Sequence, residues 1–316
     1  MSPARPHATP TGPLVASTLA ARARGAYLGL AIGDALGATV EFMTAAEIRI
    51  RHGTHQDLIG GGWLKLKPGQ VTDDTQMSLA LGAAIIGSGG WELGAIAERW
   101  VAWLRSKPID VGNTCRRGIT RVMGGGGLES PRSEGDAGNG ALMRNLPTVL
   151  FAFHDDDLLV RLSLEQAHIT HNHPLSDAAI VCVARMLARL LQGGDQGDCL
   201  ADCRGLADAL VGVHRCFRFD PYPRLASPYV VDTLQTVLHA FFNSASFEEC
   251  LVKTVNLGGD ADTTGAIVGM LAGALYGEAA IPARWLRRLD RDVRSQIESQ
   301  VDGLLCAPRE KDRQPQ

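Results

Sequence analysis

Two segments of this chain carry glycine at every fourth residue, and this spacing constrains the fold more than any other feature. The segment GAYLGLAIGDALGA contains Gly25, Gly29, Gly33 and Gly37, and the segment GAIVGMLAGALYG contains Gly265, Gly269, Gly273 and Gly277. Residues four apart share one face of a helix, so each segment predicts a helix with a smooth stripe that another helix can approach closely. Because an interior helix glycine costs roughly 1 kcal/mol relative to alanine, the repeats indicate a packing requirement. We expect the two helices to cross near a functional site.

Helical periodicity also dominates the rest of the chain. Apolar residues recur at intervals of three and four, and strand-like alternation is nearly absent. The predicted helices cover 14–36, 77–86, 93–104, 141–153, 158–169, 178–191, 200–217, 230–242, 247–255 and 267–276. No Pro/Ser-rich linker divides the interior. The sequence therefore predicts an all-α fold with one compact many-helix domain over 14–306, flanked by disordered tails at 1–13 and 307–316.

Composition and charge restrict the kinds of partner that the protein can bind and the cellular compartment that we expect for it. A net charge of −3 offers no basic surface for a nucleic-acid backbone. Seven cysteines without a regular framework fit the reducing cytoplasm. The apolar stretch LVASTLAA is short and runs into Arg22 and Arg24, unlike an export signal, and no apolar run reaches the ~20 residues that span a bilayer. We expect a cytoplasmic protein with no transmembrane segment and no nucleic-acid partner.

Two acidic motifs are the strongest candidates for a functional site. VTDDTQMS contributes Thr72, Asp73 and Asp74, and GGDADTTG contributes Asp260, Asp262 and Thr263. Carboxylates gathered in one place repel each other, because an unpaired buried charge costs several kcal/mol. A bound cation would neutralise them. Since the donors are hard oxygens and neither motif contains Cys or His, the expected ions are Mg²⁺ or Mn²⁺, or else Ca²⁺, with room for two.

Helix capping is the alternative interpretation of both motifs. Each motif precedes an apolar helical stretch, and Asp or Thr side chains commonly accept hydrogen bonds from the free amides at a helix start. Acidic residues also suit the positive end of the helix dipole. Either motif alone fits capping as well as metal binding, whereas the pair favours metal binding. The two interpretations are compatible when two helix starts share a cleft.

The segments GDALGATVEF, VTDDTQMSLAL, GNGALMR, ITHNHP and GGDADTTGAIVGMLAGALYG, in this order, resemble the ADP-ribosylglycohydrolase family. This resemblance covers 25–276. It implies an all-helical domain with a dinuclear metal cleft that holds two divalent cations, Mn²⁺ favoured over Mg²⁺. It also implies an enzyme that removes ADP-ribose from a modified arginine on a protein, with the six residues of the acidic motifs as metal ligands.

The resemblance implies further site residues. Glu41 and Asp110 correspond to catalytic positions, although an isolated Glu41 would more often be an exposed acid in a turn. The positions that correspond to substrate contacts are Asn113, Gly138, Asn139, Gly140, Met143 and Tyr229. Cleavage of the bond between ribose C1 and the arginine nitrogen develops positive charge on the sugar. We expect Glu41 to act as general acid or base and Asp110 to face the guanidinium group.

Two other features have competing interpretations. The histidines of HITHNHP, which are His168, His171 and His173, have metal-like spacing, but Pro174 interrupts any helix there and the oxygen-rich site does not require imidazole. We expect orienting or structural roles for them, with His171 among the substrate-binding residues. The glycine-rich stretch 124–127 precedes a helix expected at GNGALMR, and it either closes over a pyrophosphate or forms a surface loop.

The stretch GGGWLKLKPGQVTDDTQMSLALG is most similar to family members from nitrogen-fixing bacteria. This similarity implies the ADP-ribosylated iron protein of nitrogenase as substrate, a PII signalling protein as possible regulator, and peripheral recruitment to a membrane ammonium transporter. The alternative functions are hydrolysis of ADP-ribosyl-serine or of another ADP-ribose conjugate, and a catalytically silent ADP-ribose-binding protein. Loss of metal ligands would mark a silent protein, and here all six are present.

Overall fold

The computed structural model describes residues 18–307, and this part of the chain is all-helical. It contains fourteen α-helices, three short 3₁₀ helices and isolated β-bridges, but no β-strand. The α-helices are α1 (Leu19–Gly37), α2 (Ala45–His52), α3 (Asp73–Gly87), α4 (Leu93–Arg105), α5 (Asn113–Met123), α6 (Leu146–Ala152), α7 (Asp156–His168), α8 (Pro174–Gln192), α9 (Gln196–Val213), α10 (Val230–Phe242), α11 (Phe247–Val255), α12 (Ala261–Tyr276), α13 (Ala283–Arg288) and α14 (Arg291–Cys306). The 3₁₀ helices are Glu134–Asp136, Arg215–Phe217 and Glu278–Ala280. The all-α prediction is confirmed.

Helices α1 and α12 pack antiparallel with their glycine stripes in direct contact. A Cβ atom added to Gly33 would lie 2.0 Å from the carbonyl oxygen of Gly265, and one added to Gly25 would lie 2.4 Å from that of Gly273. No side chain fits at such distances, so the two backbones touch along the length of the helices. The last predicted stripe residue, Gly277, instead ends α12 with φ +77°. This antiparallel seam brings the C-terminal end of α1 to the N-terminal end of α12.

The seam lies at the centre of the hydrophobic core. Almost every residue of α1 and α12 is buried, which is typical of helices surrounded by protein on all sides. Helices α3, α8, α10, α11 and α14 pack around this pair. One continuous core cluster extends from Ala23 to Leu304. Among the described helices, none is both long enough and apolar enough to cross a membrane.

Several helix predictions need correction. Helices α2, α5, α13 and α14 were not predicted, because their short or highly charged sequences bury only narrow stripes, such as Cys115, Gly118 and Ile119 in α5. The helix predicted over 141–153 begins only at Leu146, since Pro147 fits the first turn of a helix but not its interior. The helix predicted to end at 217 ends at Val213. The positions 14–17, and the predicted tails except for residue 307, lie outside the described residues.

Candidate active site and metal centre

Backbone hydrogen bonds fasten the segment after α1 to the segment before α12. The amide of Phe42 donates to the carbonyl of Gly259 at 2.7 Å, and the amide of Gly259 donates to the carbonyl of Met43 at 2.9 Å. Gly259 has φ +66°, where a residue with a Cβ atom is strained. These contacts hold Glu41 beside Asp260.

Three carboxylates converge at this junction. One oxygen atom from each of Glu41, Asp260 and Asp262 lies within 4.8 Å of the other two. The hydroxyl of Thr263 donates to Oδ2 of Asp74 at 3.5 Å. The two acidic motifs, distant in sequence, therefore form one cluster with Glu41.

Asp34, in the last turn of α1, positions the first acidic motif. Its carboxylate accepts hydrogen bonds from the amide and the hydroxyl of Thr72, at 3.0 and 2.9 Å. It also accepts from the amide and the hydroxyl of Thr75, at 3.2 and 2.5 Å. The Thr72 hydroxyl lies 3.3 Å from Oδ2 of Asp74 as well. The fully buried Asp34 thus connects the start of α3 to the central seam.

The side chains at the N-cap positions of α3 and α12 do not cap these helices. Thr72 and Asp260 occupy the N-cap positions without a side-chain capping bond, whereas Asp155 caps α7 by accepting from the amide of Leu158 at 3.1 Å. Oδ1 of Asp74 is buried and has no hydrogen-bond donor in the described part of the chain. Oδ1 of Asp74 is therefore available to another ligand, which agrees with the metal-binding interpretation.

A cleft of about 350 Å³ opens at the acidic cluster. The predicted site residues that line it are Glu41, Asp73, Asp110, Asn113, Gly138, Asn139, Gly140, Met143, His171, Asp260, Asp262 and Thr263. Thr72 and Asp74 do not line the cleft but are buried behind its acidic wall. Tyr229 lies next to the cleft and is 42% exposed, where it forms an antiparallel bridge with Gly138.

Two aromatic residues that the sequence did not indicate also line the cleft. The indole N–H of Trp63 donates to Oε2 of Glu41 at 2.6 Å. The rings of Trp63 and Phe42 lie 5.5 Å apart between centroids, and both side chains are more than half exposed. Trp63 therefore fixes the position of Glu41 from the solvent side of the cleft.

Comparison with known proteins identifies the kind of molecule that has this cleft. The ADP-ribosylglycohydrolase family model matches residues 16–314. The chain belongs to the ADP-ribosylglycohydrolase family. It is 55% identical to the ADP-ribosyl-[dinitrogen reductase] glycohydrolase of Rhodospirillum rubrum, over 94% of this chain and 98% of that protein. The resemblance found in the sequence is confirmed.

Other ADP-ribosylglycohydrolase relatives agree with this assignment. The chain is 33% identical to the ADP-ribosylarginine hydrolase Tri1 of Pseudomonas putida (strain GB-1), over 85% of this chain and 74% of that protein. A solved structure described as an ADP-ribosylglycohydrolase-related protein complex superposes with a TM-score of 0.77 and 34% identity. It covers 91% of this chain and 98% of the chain compared.

The carboxyl groups at the cleft of this family member have strongly raised pKa values. Burial raises the pKa of Asp73 to about 7, that of Asp260 to about 6 and that of Glu41 to about 8, and repulsion from Asp110 adds to each shift. No Lys or Arg of the described residues forms an ion pair with these groups. Clustered oxygen donors without a counter-charge fit hard divalent cations. The residues of the two acidic motifs could hold such ions.

Asn139 belongs to the carboxylate cluster as well as to the cleft wall. Its Nδ2 donates to Oδ2 of Asp260 at 2.5 Å and to the hydroxyl of Thr233 at 2.9 Å. Its backbone amide donates to the carbonyl of Pro228 at 3.1 Å. The turn around Asn139 is thereby fixed to the segment that carries Tyr229.

The three histidines have different partners. His168 interacts with Asp177 at 3.0 Å, and His173 is the N-cap of α8. These contacts agree with the expected structural roles. Only His171 lines the cleft. Pro174 does not end a helix but is the first residue of α8, where its missing N–H costs nothing.

The glycine-rich stretch 124–127 does not line the cleft. The guanidinium group of Arg121 donates to the carbonyls of Gly126, Leu128 and Ile169, which holds this stretch against the end of α7. The helix expected at GNGALMR is a turn, and α6 begins after it. These glycines are thus not placed to cradle a pyrophosphate in the cleft.

Proposed function

We propose that this protein is a divalent-cation-dependent hydrolase that removes ADP-ribose from a modified arginine on a target protein. The observation that carries the proposal is the convergence of Glu41 and both acidic motifs on one cleft. The printed names of the relatives support the same reaction, since one is an ADP-ribosyl-[dinitrogen reductase] glycohydrolase and another an ADP-ribosylarginine hydrolase. Family membership and these relatives make the chain an enzyme of the glycohydrolase class.

The metal ligands are part of the proposal. The residues assigned to two cations, Mn²⁺ favoured over Mg²⁺, are Thr72, Asp73, Asp74, Asp260, Asp262 and Thr263. Within the described part of the chain, Oδ1 of Asp74 has no hydrogen-bond donor and the cluster has no ion-paired Lys or Arg, and both observations support this assignment. When bound, such cations supply Lewis-acid stabilisation to sugar and water oxygens.

Hydrolysis breaks the bond between ribose C1 and the arginine nitrogen, with a water molecule supplying hydroxyl to C1 and a proton to nitrogen. We assign proton transfer to Glu41, which lines the cleft and whose pKa is raised to about 8 by burial. Trp63 keeps this carboxyl group in one orientation through its 2.6 Å hydrogen bond.

Asp110 and Asn113 are assigned to the leaving-group side of the cleft. Asp110 carries the negative charge that a guanidinium group requires, and charge-assisted hydrogen bonds to carboxylates are stronger than neutral ones. Its Oδ1 already accepts from the amide of Val111 at 2.8 Å, which fixes its direction. Residues 138–140, Met143 and His171, which also line the cleft, and the adjacent Tyr229 are assigned to ADP-ribose.

The protein substrate is proposed from the relative of R. rubrum. Identity of 55% over 94% of the chain supports the same target class, the ADP-ribosylated iron protein of nitrogenase. A cytoplasmic location, regulation by a PII protein and peripheral membrane recruitment complete this proposal.

A selectivity assay tests the proposed reaction. Mn²⁺-loaded protein is given ADP-ribosyl-arginine and ADP-ribosyl-serine peptides of otherwise equal sequence, and released ADP-ribose is quantified. We expect release from the arginine peptide and a large loss of that release in Asp110→Asn, with an exposed Asp157→Asn variant as control. Preferential release from the serine peptide would replace the arginine assignment with the serine alternative. No release from either would favour a binding protein.

A further inference from the structure

His171 presents one ring nitrogen to the cleft and the other to the protein interior. A Cβ atom built on Gly138 would lie 3.1 Å from Nε2, and one built on Gly140 would lie 2.9 Å from Cε1. Nε2 has no hydrogen-bond partner among the described residues, whereas Nδ1 lies 2.8 Å from the hydroxyl of Thr170. The residue is only 2% exposed, so packing fixes the orientation of its ring. Nε2 is the atom available to a ligand.

The Thr170 hydroxyl also receives a hydrogen bond from the interior. A guanidinium nitrogen of Arg144 donates to it at 2.7 Å. Arg144 is fully buried and forms no ion pair with a carboxylate in the described part of the chain. Because arginine stays protonated and has only donors, the Thr170 oxygen must act as acceptor in this contact.

The direction of the hydrogen bond between Thr170 and His171 follows from the requirement that every buried donor has an acceptor. The hydrogen of the Thr170 hydroxyl has no acceptor among the described residues other than Nδ1 of His171. If Nδ1 carried a proton, that hydroxyl hydrogen would be buried without a partner, which costs about 1–3 kcal/mol. Thr170 therefore donates to Nδ1, and the neutral ring carries its proton on Nε2. Burial, with the charges of Arg144 and Arg117, lowers the pKa of His171 well below its usual value, which favours the neutral ring.

Arg144 is held firmly at the start of this chain of hydrogen bonds. It donates to Oε1 of Gln166 at 3.0 Å and to the backbone carbonyl of Gln166 at 3.1 Å. Its guanidinium group also lies 3.9 Å above the ring of Trp100, a cation–π contact. Burying a guanidinium group away from carboxylates costs free energy. Its position here fixes the direction in which the Thr170 hydroxyl donates its hydrogen bond.

We propose that Arg144 and Thr170 are positioning residues that fix His171 as a neutral hydrogen-bond donor through Nε2, directed at an acceptor oxygen of ADP-ribose in the cleft. The inference rests on the proposed function only for the identity of the ligand. Which nitrogen of the His171 ring carries the proton does not depend on that function.

The test compares Thr170→Val, which removes the hydroxyl, with Thr170→Ser, which keeps it. Thr148→Val is the matched control, because the hydroxyl of Thr148 is equally buried but has no hydrogen-bond partner within residues 18–307. Long-range ¹H–¹⁵N spectra of histidine-labelled protein loaded with the diamagnetic Mg²⁺ report which ring nitrogen carries the proton, and His171→Gln assigns the signal. Calorimetry reports ADP-ribose affinity without turnover.

We expect the native protein, Thr170→Ser and Thr148→Val to show His171 protonated on Nε2. Thr170→Val should lose this state and bind ADP-ribose about fivefold to twentyfold more weakly, the effect of one lost hydrogen bond, with unchanged metal content. A native ring protonated on Nδ1, or native affinity in Thr170→Val, would overturn the inference. If Thr170→Val does not fold, the spectrum of the native protein still shows which nitrogen of His171 carries the proton, and so still tests the inference. Absence of any ADP-ribose binding by the native protein would instead count against the proposed function.

Discussion

The hydroxyl of Thr263 lies 3.5 Å from the carboxylate of Asp74, although the two residues are 189 positions apart in the chain. The glycine seam accounts for this proximity. Because α1 and α12 pack antiparallel at backbone contact, the end of α1 meets the start of α12, and Asp34 binds the start of α3 to the same place. The close packing of α1 against α12 thus brings the residues of the acidic cluster together.

The seam should tolerate no added side chain. In Gly33→Ala the new Cβ would lie 2.0 Å from a backbone oxygen of α12, which cannot move without separating the helices. We expect a loss of several kcal/mol in the free energy of unfolding, as for severe overpacking. In the control Gly205→Ala the new Cβ meets no described residue within 4 Å, and alanine should stabilise α9 by up to about 1 kcal/mol. Urea unfolding curves compare the variants, and equal stability of the two would contradict the packing account.

Asp74→Asn should weaken metal binding while leaving the fold intact. The substitution removes one charge from a buried carboxylate whose Oδ1 has no hydrogen-bond donor among the residues that the structure describes. We expect at least a tenfold loss of Mn²⁺ affinity, in the range that changes at metal sites produce. Calorimetry and metal analysis after dialysis measure it. The control is Asp157→Asn in the exposed acidic run at the start of α7, and an equal loss there would point to a general charge effect.

Trp63→Phe should lower turnover more than substrate binding. Phenylalanine keeps an aromatic ring but cannot donate to Glu41, so the carboxyl group loses its fixed orientation. We expect kcat to fall about tenfold with little change in KM. Trp91→Phe is the matched control, since Trp91 donates to Glu165 at 2.8 Å away from the cleft. Unchanged kcat in Trp63→Phe would show that the contact does not position Glu41 for catalysis.

Metal-dependent stability should increase with pH. In the metal-free protein the pKa of Asp73 is raised to about 7 and that of Asp260 to about 6, from about 4 in an unfolded chain. An acid with a raised folded-state pKa stabilises the fold below its unfolded pKa, and this contribution is lost as pH rises through the folded-state value. A cation binds the deprotonated carboxylates, so the stabilisation that it adds increases as the pH rises through these folded-state pKa values.

The corresponding measurement is the Mn²⁺-induced rise in Tm at about pH 5 and about pH 8. Taking the difference between metal-loaded and metal-free protein cancels the titration of distant groups. The rise should be clearly larger at about pH 8. A rise that is equal at both values, or larger at the lower one, would contradict the assignment of these carboxylates as ligands.

The sequence predicted the features that repeat or cluster locally. The glycine stripes indicated the close helix pair, and the acidic motifs indicated the residues that meet at its end. Asp34 was not recognised, although an acid inside an apolar, glycine-striped helix is a signal that could have identified it. Trp63 has no such signal, because its importance comes from one contact with Glu41 that only the folded chain creates. The role of Thr170 likewise depends on a contact with the buried Arg144, 26 positions earlier, that only the folded chain creates.

The most direct test of the account is restoration of activity to metal-stripped protein. Protein treated with a chelator is given an ADP-ribosyl-arginine protein, and ADP-ribose release is followed before and after addition of Mn²⁺ or Mg²⁺. The account predicts no release without metal, full release with Mn²⁺, and no restoration in Asp260→Asn at the same metal concentration. Undiminished release by the metal-free protein, or full restoration of release by Mn²⁺ in Asp260→Asn, would contradict it.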